Sequence, residues 1–413
     1  MVMNATHVYM TKRFATSLAN ATMFTTYALY YIAALGLNPF ELLLVGMVLE
    51  LSVLLFEGVT GVVADTYSRR LSVIIGMFLL GTAFVLQGIL PAIDGVLPFV
   101  SAFMWVLVAQ VFFGVGDTFV SGADTAWIAD EVGEEKLGSI FMRAKRYSLL
   151  ANMLGIGLSV WLSTLAPNLP YLVGGLIYLG LGVFLILFMQ ETGFTPRERE
   201  RGASHWREMA QTWLSGAHVI RRQPILLLIL LVTLFTGAAS EGYDRLREAH
   251  LISEIGFPQL ADISMAMWFG IIAALSSLLG LFAVSFAEKR LDVNNGRVVI
   301  VGMFVLTALK IAALISFAMA PDFGWALAAL LLIGAIESLI NPLYDTWLNL
   351  NIESSVRATV LSMMSQSNAF GQTAGGPAVG WIGNRLSIRA SLLTAALLLL
   401  PILAVFGRVL RRR

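Results

Sequence analysis

Long apolar stretches alternate with short polar segments along almost the whole chain. Each stretch is about 20 residues long, which is the length that an α-helix needs to cross the hydrocarbon core of a bilayer. The apolar positions run continuously instead of alternating, and this favours helices over the strands of a membrane β-barrel. We predict an all-α polytopic membrane protein with twelve transmembrane helices, at 14–36, 41–64, 71–91, 99–121, 146–166, 169–189, 225–247, 263–286, 298–319, 324–344, 358–382 and 388–407.

The Lys and Arg residues fall mostly on one side of this arrangement. With both termini inside, most of the 27 Lys and Arg residues lie in cytoplasmic segments; the exceptions are Arg245, Arg247, Arg385 and Arg389 outside and Lys310 within a span. Positive residues remain on the cytoplasmic side of membrane proteins. We therefore predict a bacterial-type inner-membrane protein with both termini in the cytoplasm. The segment before the first span has no small-residue cleavage site, which indicates a retained helix instead of a signal peptide.

The predicted spans divide into two sets of six. We predict an N-terminal half at 1–190, a linker at 191–224 and a C-terminal half at 225–413. The linker starts with a charge run and continues as an amphipathic helix, which we expect on the cytoplasmic membrane surface instead of on a partner protein. Its apolar positions are Trp206, Met209, Trp213, Ala217 and Ile220. Two halves of similar length indicate an internal repeat, which is typical of transporters whose substrate site lies at the midplane.

Composition narrows the function classes. Of the 413 residues, 58% are hydrophobic and 13% are charged, which excludes both a water-soluble globular protein and a disordered chain. The absence of cysteine excludes a disulfide scaffold, and a net charge of +1 gives no preference for nucleic acid. The four histidines show no metal-ligand spacing, and the sequence holds no phosphate-binding glycine string and no G-x-S-x-G string. We therefore expect no enzyme activity, no metal and no cofactor.

The most specific local pattern lies between spans 2 and 3, where Gly61, Asp65, Arg69 and Arg70 form a G-x-x-x-D-x-x-x-R-R string. The glycine would allow close helix approach, and the aspartate would pair with an arginine or a helix N-terminus. The arginines would meet the anionic leaflet. The string resembles the signature loop of the major facilitator superfamily, at the matching place in a twelve-span chain. We expect these residues, with Glu57, to form a conformational latch; an ordinary positive-inside loop is the alternative.

Three further strings, at 55–60, 121–130 and 368–377, are similar to bacterial drug:proton antiporters of the type that exports macrolides and tetracyclines. This narrower resemblance implies proton-coupled drug efflux. Two departures weigh against it. Span 5 lacks the glycine–proline motif of antiporters, and a Gly375-Gly376-Pro377 string occurs in span 11 instead. Gln110 stands where many proton-coupled members carry an arginine, so carboxylates would have to carry any proton coupling.

Ionisable residues inside the spans are the candidate site residues, because each costs about 2.5–3.5 kcal/mol to insert into a membrane. Glu50 lies near mid-depth in span 2, and the sequence places no Lys or Arg at similar depth in the neighbouring spans. Burial raises the pKa of such a carboxyl group, which suits a proton carrier. We expect Glu50 to be the first proton-coupling or substrate-binding residue and Glu337 in span 10 to be the second.

The other intramembrane charges leave alternatives open. Lys310 lies at the depth of Glu337, so the two residues either form an ion pair or leave Glu337 facing substrate. Glu241 is a further candidate site residue. Asp244 and its neighbours belong either to the same site or to a solvated outer rim. Asp117 in span 4 belongs either to the substrate site or, with Glu57, to the latch.

Aromatic residues are frequent in spans 1 and 4, which line the cavity in the superfamily that the chain resembles. They include Tyr27, Tyr30, Tyr31, Trp105, Phe112 and Phe113. An aromatic cavity with one or two acids would bind lipophilic cations, and we expect Tyr27 and Tyr30 to line it. Ordinary helix packing is the alternative explanation.

The expected function is therefore secondary active transport by alternating access, with efflux of hydrophobic or cationic drugs in exchange for protons. Two alternatives stay open: transport of a lipid, siderophore or metabolite without proton coupling, and a membrane sensor that transports nothing. The expected partners are a small-molecule substrate, protons and the lipid bilayer, and we expect a monomer that binds no nucleic acid.

Overall fold

The computed structural model describes residues 3–93, 101–195, 224–260, 263–290, 295–351 and 357–412. These residues form helices and loops, with no β-strand within the described ranges. The amphipathic linker helix that the sequence predicts lies outside the described residues. The chain divides into two compact units, one made of Met1–Leu37 and Leu51–Met209 and the other of Asn38–Glu50 and Ala210–Arg413. We call them unit 1 and unit 2.

Unit 1 is a bundle in which α1 packs against α7 and α8, and α3 packs against α5 and α8. Its helices are α1 (Ala5–Phe24), the second part of α2 (Pro39–Thr66), α3 (Arg69–Gly88), α4 (Leu90–Ile93), α5 (Ala102–Val120), α6 (Ala123–Val132), α7 (Glu134–Leu165) and α8 (Leu169–Phe188).

Unit 2 is a second bundle, in which α9 packs against α13 and α14, and α12 packs against α10 and α11. Its helices are α9 (Pro224–His250), α10 (Met265–Glu288), α11 (Gly296–Ala318), α12 (Phe323–Asn351), α13 (Arg357–Arg385), α14 (Ile388–Leu398) and α15 (Leu400–Arg412). The first part of α2 also belongs to this unit.

Polar residues fix the starts of many helices. The side chain of the residue before each helix accepts a hydrogen bond from a backbone N–H of the first turn, which would otherwise have no partner. The capping residues are Asn4, Ser68, Ser101, Ser264, Asn295 and Ser387. Ser68 and Ser387 are each the second residue of a two-residue connection between helices, so these caps set where the chain turns back.

The described residues of the twelve predicted spans are almost all helical, and the all-α fold class is confirmed. Ten helices among the described residues are long and apolar enough to cross a membrane. The predicted spans 14–36 and 358–382 do not meet that criterion. The first corresponds to α1 and a following π-helical turn. The second is α13, which is rich in Gly, Ser, Gln and Asn.

Where α13 packs against α9, the contact is made by small residues instead of large apolar side chains. A Cβ atom built on Gly371 would lie 2.2 Å from the carbonyl oxygen of Leu234, and one on Gly375 would lie 2.6 Å from Cα of Ala238. Helices in membranes associate closely through such small residues. Close backbone contact therefore explains why α13 is less apolar than the other spans.

The helices differ from the sequence prediction in several places. The fifth span, predicted to start at 146, begins at Glu134 as α7, and α12 continues to Asn351 instead of ending near 344. The last span is split at Leu399, just before Pro401, which has no N–H to continue the helix. The short helix α6 follows α5 directly and was not predicted.

Two π-helical turns occupy corresponding places in the two sets of spans. Leu29–Ala34 follows α1, and Leu251–Ile255 follows α9. Each is followed by a glycine with positive φ, Gly36 at 67° and Gly256 at 78°. A residue with a side chain rarely adopts this backbone conformation, so glycine lets the chain leave both helices in the same way.

Candidate functional site

Arg69 is the centre of the signature loop in unit 1. Its guanidinium donates a hydrogen bond to the carbonyl oxygen of Ala126, at 3.1 Å, and forms an ion pair with Asp130. Asp65, one turn earlier, lies 3.8 Å away from the same guanidinium. Both Ala126 and Asp130 belong to α6. The loop between spans 2 and 3 is therefore held by the short helix that the sequence did not predict.

The segment that follows α8 is also fixed to this loop. Glu191 accepts hydrogen bonds from the Ser68 hydroxyl, at 2.6 Å, and from the backbone N–H of Arg70, at 3.0 Å. The Arg70 guanidinium donates to the carbonyl oxygen of Ile186, at 2.8 Å. The indole N–H of Trp127 in α6 donates to the carbonyl oxygen of Gln190. Within unit 1, Arg69 and Arg70 of the predicted latch thus contact α6 and the end of α8.

Gly61 differs from its expected role. It is exposed on α2, and no described atom lies within 4 Å of a Cβ atom built on it. The close helix approach that we expected at this glycine is therefore not made in this structure. Close approach is found instead at glycines such as Gly371, which lies outside the signature loop.

A buried ion pair joins α1 to α6. Lys12 and Asp124 form this pair, and their side chains keep only 4% and 10% of their surface exposed. Asp117, at the end of α5, lies within electrostatic range of both residues and also of Glu57. The structure therefore brings Glu57 and Asp117 together, beside the Lys12–Asp124 pair. Sequence reasoning missed this pair because nothing in the spacing relates Lys12 to Asp124.

The predicted aromatic residues of span 1 belong to a neutral network. The Tyr30 hydroxyl donates to the carbonyl oxygen of Gln87, at 2.8 Å, and the Tyr31 hydroxyl bonds the side-chain oxygen of the same residue. Gln110 donates to Tyr31 at 3.3 Å. Tyr27 stands edge-on to Tyr31, at 6.0 Å between ring centres. All five side chains are buried, so in this structure they fill the interior of unit 1.

Unit 2 holds an ion pair between α11 and α12 and further ion pairs within α9. Nζ of Lys310 in α11 lies 2.8 Å from Oε1 of Glu337 in α12. In α9, Arg247 lies 2.7 Å from Glu248 and 3.7 Å from Asp244. Asp244 is also within electrostatic range of Lys310, Glu337 and Glu241. The sequence left open whether Asp244 belongs to a solvated outer rim. In the structure it shares one cluster with Lys310 and Glu337.

Glu241 is buried in the same unit and lies 2.9 Å from Nε of Arg245. A Cβ atom built on Gly46, in the first part of α2, would lie 1.5 Å from Oε1 of Glu241. One on Gly376 in α13 would lie 3.1 Å from Cγ of Glu241. The Glu241–Arg245 pair therefore fits against α2 only because residue 46 has no side chain.

His250 lies beyond the predicted span 225–247, but the structure places it in a helix. It is the last residue of α9 and is fully buried. Its Nε2 atom lies 3.2 Å from the carbonyl oxygen of Phe317, and its Nδ1 atom lies 3.0 Å from Glu254. Glu254 belongs to the π-helical turn that follows, and Arg389 of α14 lies 3.8 Å from it. The helix continues beyond 247 because the π-helical turn extends it.

Glu50 is the last residue of α2 that belongs to unit 2, and its side chain is half-buried. It takes part in a polar or electrostatic interaction, so it is not the isolated charge that the sequence indicated. Within the described ranges, no group of three or more His, Asp or Glu side chains could hold a metal ion.

Comparison with known proteins shows which family and which relatives the chain matches. A family profile described as Major Facilitator Superfamily matches residues 13–371. The chain is 24% identical over 391 residues to the "Uncharacterized MFS-type transporter YxaM" of Bacillus subtilis (strain 168), covering 92% of this chain and 90% of that protein.

Several solved structures share the fold. The nucleoside transporter NupG gives a TM-score of 0.74 at 13% identity, with 100% of both chains covered. A POT family transporter in complex with 5-aminolevulinic acid gives 0.72 at 11% identity, covering 98% of this chain and 96% of that chain. A bacterial homologue of the human lysosomal transporter Spinster gives 0.69 at 12% identity, covering 98% and 97%. At such identities the likeness concerns the fold alone.

Proposed function

The chain belongs to the Major Facilitator Superfamily of membrane transporters, and we propose that it exports hydrophobic or cationic small molecules in exchange for protons. The family establishes a multi-pass membrane protein of the transporter type. Cargo, direction and coupling are the proposed part. The drug:proton antiporter resemblance of 55–60, 121–130 and 368–377 is the sequence support for efflux.

The charged cluster of unit 2 is the observation that carries this proposal. Among the described residues, its acidic members are Glu241, Asp244, Glu248 and Glu337, and its basic members are Arg245, Arg247 and Lys310. Charged groups are costly among apolar helices and are therefore functional candidates. A proton and a cationic cargo would both bind at these carboxylates, and the two would therefore compete.

Solvent access distinguishes the members of this cluster. The Asp244 side chain keeps 52% of its surface exposed, and that of Glu337 keeps 31%. A proton or a cation can therefore approach these two carboxylates more readily than the buried Glu241. We propose Glu337 and Asp244 as the exchanging groups and Lys310 as the cation that pairs with Glu337 when neither ligand is bound.

The remaining predictions follow from this function. We propose that 1–190 and 225–413 move relative to one another about the linker 191–224, and that Asp65, Arg69, Arg70 and Glu57 act as a latch. Unit 1 and the predicted N-terminal half differ in Asn38–Glu50, which groups with unit 2. We further propose a monomer in the inner membrane with cytoplasmic termini, because most Lys and Arg residues then lie inside.

One observation favours a second function. Gln110 stands where many proton-coupled members carry an arginine, and in the structure it joins the neutral Tyr31–Gln87 network. A unit 1 without a charged group at this position suits transport of a lipid, siderophore or metabolite without proton coupling. Under this alternative the charged cluster of unit 2 would bind cargo or stabilise the helices instead of exchanging protons.

Transport of a lipophilic cationic dye into proteoliposomes under an imposed pH gradient tests the first proposal. We expect accumulation that an uncoupler abolishes, that Glu337→Gln and Asp244→Asn lower at least tenfold, and that Glu135→Gln preserves. Glu135 is an exposed acid in the first turn of α7, so this control removes a carboxylate elsewhere. Dye accumulation that does not depend on the pH gradient would support uncoupled transport. Failure to transport every solute tested would favour a sensor.

A further inference from the structure

The helix α7 is longer than a bilayer crossing requires. It runs over 32 residues, from Glu134 to Leu165. A helix rises about 1.5 Å per residue and the hydrocarbon core is about 30 Å thick, so roughly 20 residues suffice. If Leu165 lies at one boundary of the core, the other boundary falls at about Arg146. The residues before Arg146 then project through the headgroup region.

One face of α7 is apolar and exposed along its length. Tyr147, Leu150, Leu154, Trp161 and Leu165 each keep half or more of their surface exposed and follow one another at helical spacing. Lipid acyl chains are as apolar as leucine side chains and can cover such an exposed face of a membrane-spanning helix. We call this face the lipid-facing stripe. The opposite face packs against α1, where Tyr9 contacts Phe141 at 6.0 Å between ring centres.

Two arginines extend this lipid-facing stripe beyond the boundary of the core. At 100° per residue, Arg143 lies within about 20° of Leu150 around the helix axis and Arg146 within about 40°. Lys145 is about 140° away and points to the other side. All three side chains are exposed. Neither arginine forms an ion pair with any residue in the part of the chain that the structure describes.

We propose that Arg143 and Arg146 bind the phosphate groups of anionic phospholipids in the leaflet at this end of α7. The guanidinium group matches phosphate oxygens in a two-point geometry, and basic residues next to a span attract anionic lipids. Tyr147, one residue further, is of the type that anchors helices at the interface.

A lipid, and not a free anion, is the occupant that fits this position. The two arginines continue the lipid-facing stripe, so one lipid can fill the apolar stripe and the phosphate position together. The surface belongs to unit 1 alone and contains none of the residues proposed for exchange. The inference therefore holds whether or not the protein couples transport to protons.

Native mass spectrometry of the full chain in a neutral detergent tests this surface. The probes are phosphatidylglycerol and phosphatidylcholine of matched acyl chains. We expect wild type to bind phosphatidylglycerol more tightly, and Arg143→Gln/Arg146→Gln to lose about tenfold in that affinity, down to the level of phosphatidylcholine. The Lys145→Gln variant removes the same charge at the same depth from the other side of the helix, and we expect it to bind like wild type.

Three results would overturn the inference. The first is unchanged phosphatidylglycerol affinity in the double variant. The second is an equal loss in Lys145→Gln, which would mean that charge alone matters, and the third is equal competition by inorganic phosphate, which would mean a free anion site. If the double variant fails to fold, the single variants Arg143→Gln and Arg146→Gln are each expected to lose about threefold, and no loss in both would refute the proposal.

Discussion

Nζ of Lys310 lies 2.8 Å from Oε1 of Glu337, and this pair joins α11 to α12 in the interior of unit 2. The two side chains keep 13% and 31% of their surface exposed, so water reaches the carboxylate more easily than the ammonium. The pair is therefore partly solvated, unlike the Lys12–Asp124 pair of unit 1. This difference sets what should happen when either lysine is removed.

Lys310→Met should destabilise the protein only slightly, by about 1 kcal/mol, because solvent can stabilise the Glu337 carboxylate that remains. The midpoint of thermal unfolding in detergent measures this effect. Loss of several kcal/mol would show that Glu337 is sealed from water and would remove it from the groups that a cation can approach. Glu337→Gln, which keeps the shape of the side chain, is the matched variant for the other partner.

Lys12→Met should cost much more, about 3–5 kcal/mol, because it leaves the buried Asp124 carboxylate without its cation. Removing both charges in Lys12→Met/Asp124→Leu should restore most of the loss, since no uncompensated charge then remains. Thermal unfolding of the three variants forms a double-mutant cycle. A loss in the double variant equal to the sum of the losses in Lys12→Met and Asp124→Leu would mean that the two residues act independently.

These two pairs also show what the sequence could and could not predict. Lys310 and Glu337 occur at similar depth in consecutive spans, so hydropathy and depth were enough to relate them. Lys12 and Asp124 are 112 residues apart, and one of them lies in the short helix α6. A helix of ten residues after an apolar span gives no separate signal, so both α6 and its contacts with Lys12 and Arg69 were missed.

Glycines illustrate the same limit at the level of packing. The approximate positions of the spans and the fold class follow from hydropathy, because about 20 apolar residues have few alternatives in lipid. Which glycine permits close approach depends on what faces it from another helix, and one sequence does not contain that information. Gly61 carries the motif yet faces open space, whereas Gly371 meets the backbone of α9.

Gly371→Ala should therefore destabilise the protein by about 1–3 kcal/mol, because the added methyl group would lie 2.2 Å from a backbone oxygen and would push α13 away from α9. Gly61→Ala is the matched control and should be neutral or slightly stabilising, since alanine favours the helix. Thermal unfolding of the two variants compares them directly. A similar loss at both positions would indicate that helix flexibility, and not close packing, explains the glycines.

Glu50→Gln tests the carboxylate that the sequence ranked first for proton exchange. Glu50 lies within the apolar α2 and is half-buried, and glutamine keeps its size while it removes the exchangeable proton. If Glu50 carries the proton, gradient-driven dye accumulation should fall at least tenfold while dye binding and dye-for-dye exchange without a gradient continue. Parallel flux and binding measurements on Glu50→Gln and Glu135→Gln separate coupling from folding. Gradient-driven accumulation that is unchanged in Glu50→Gln would exclude Glu50 from coupling and leave Glu337 and Asp244 as the exchanging groups.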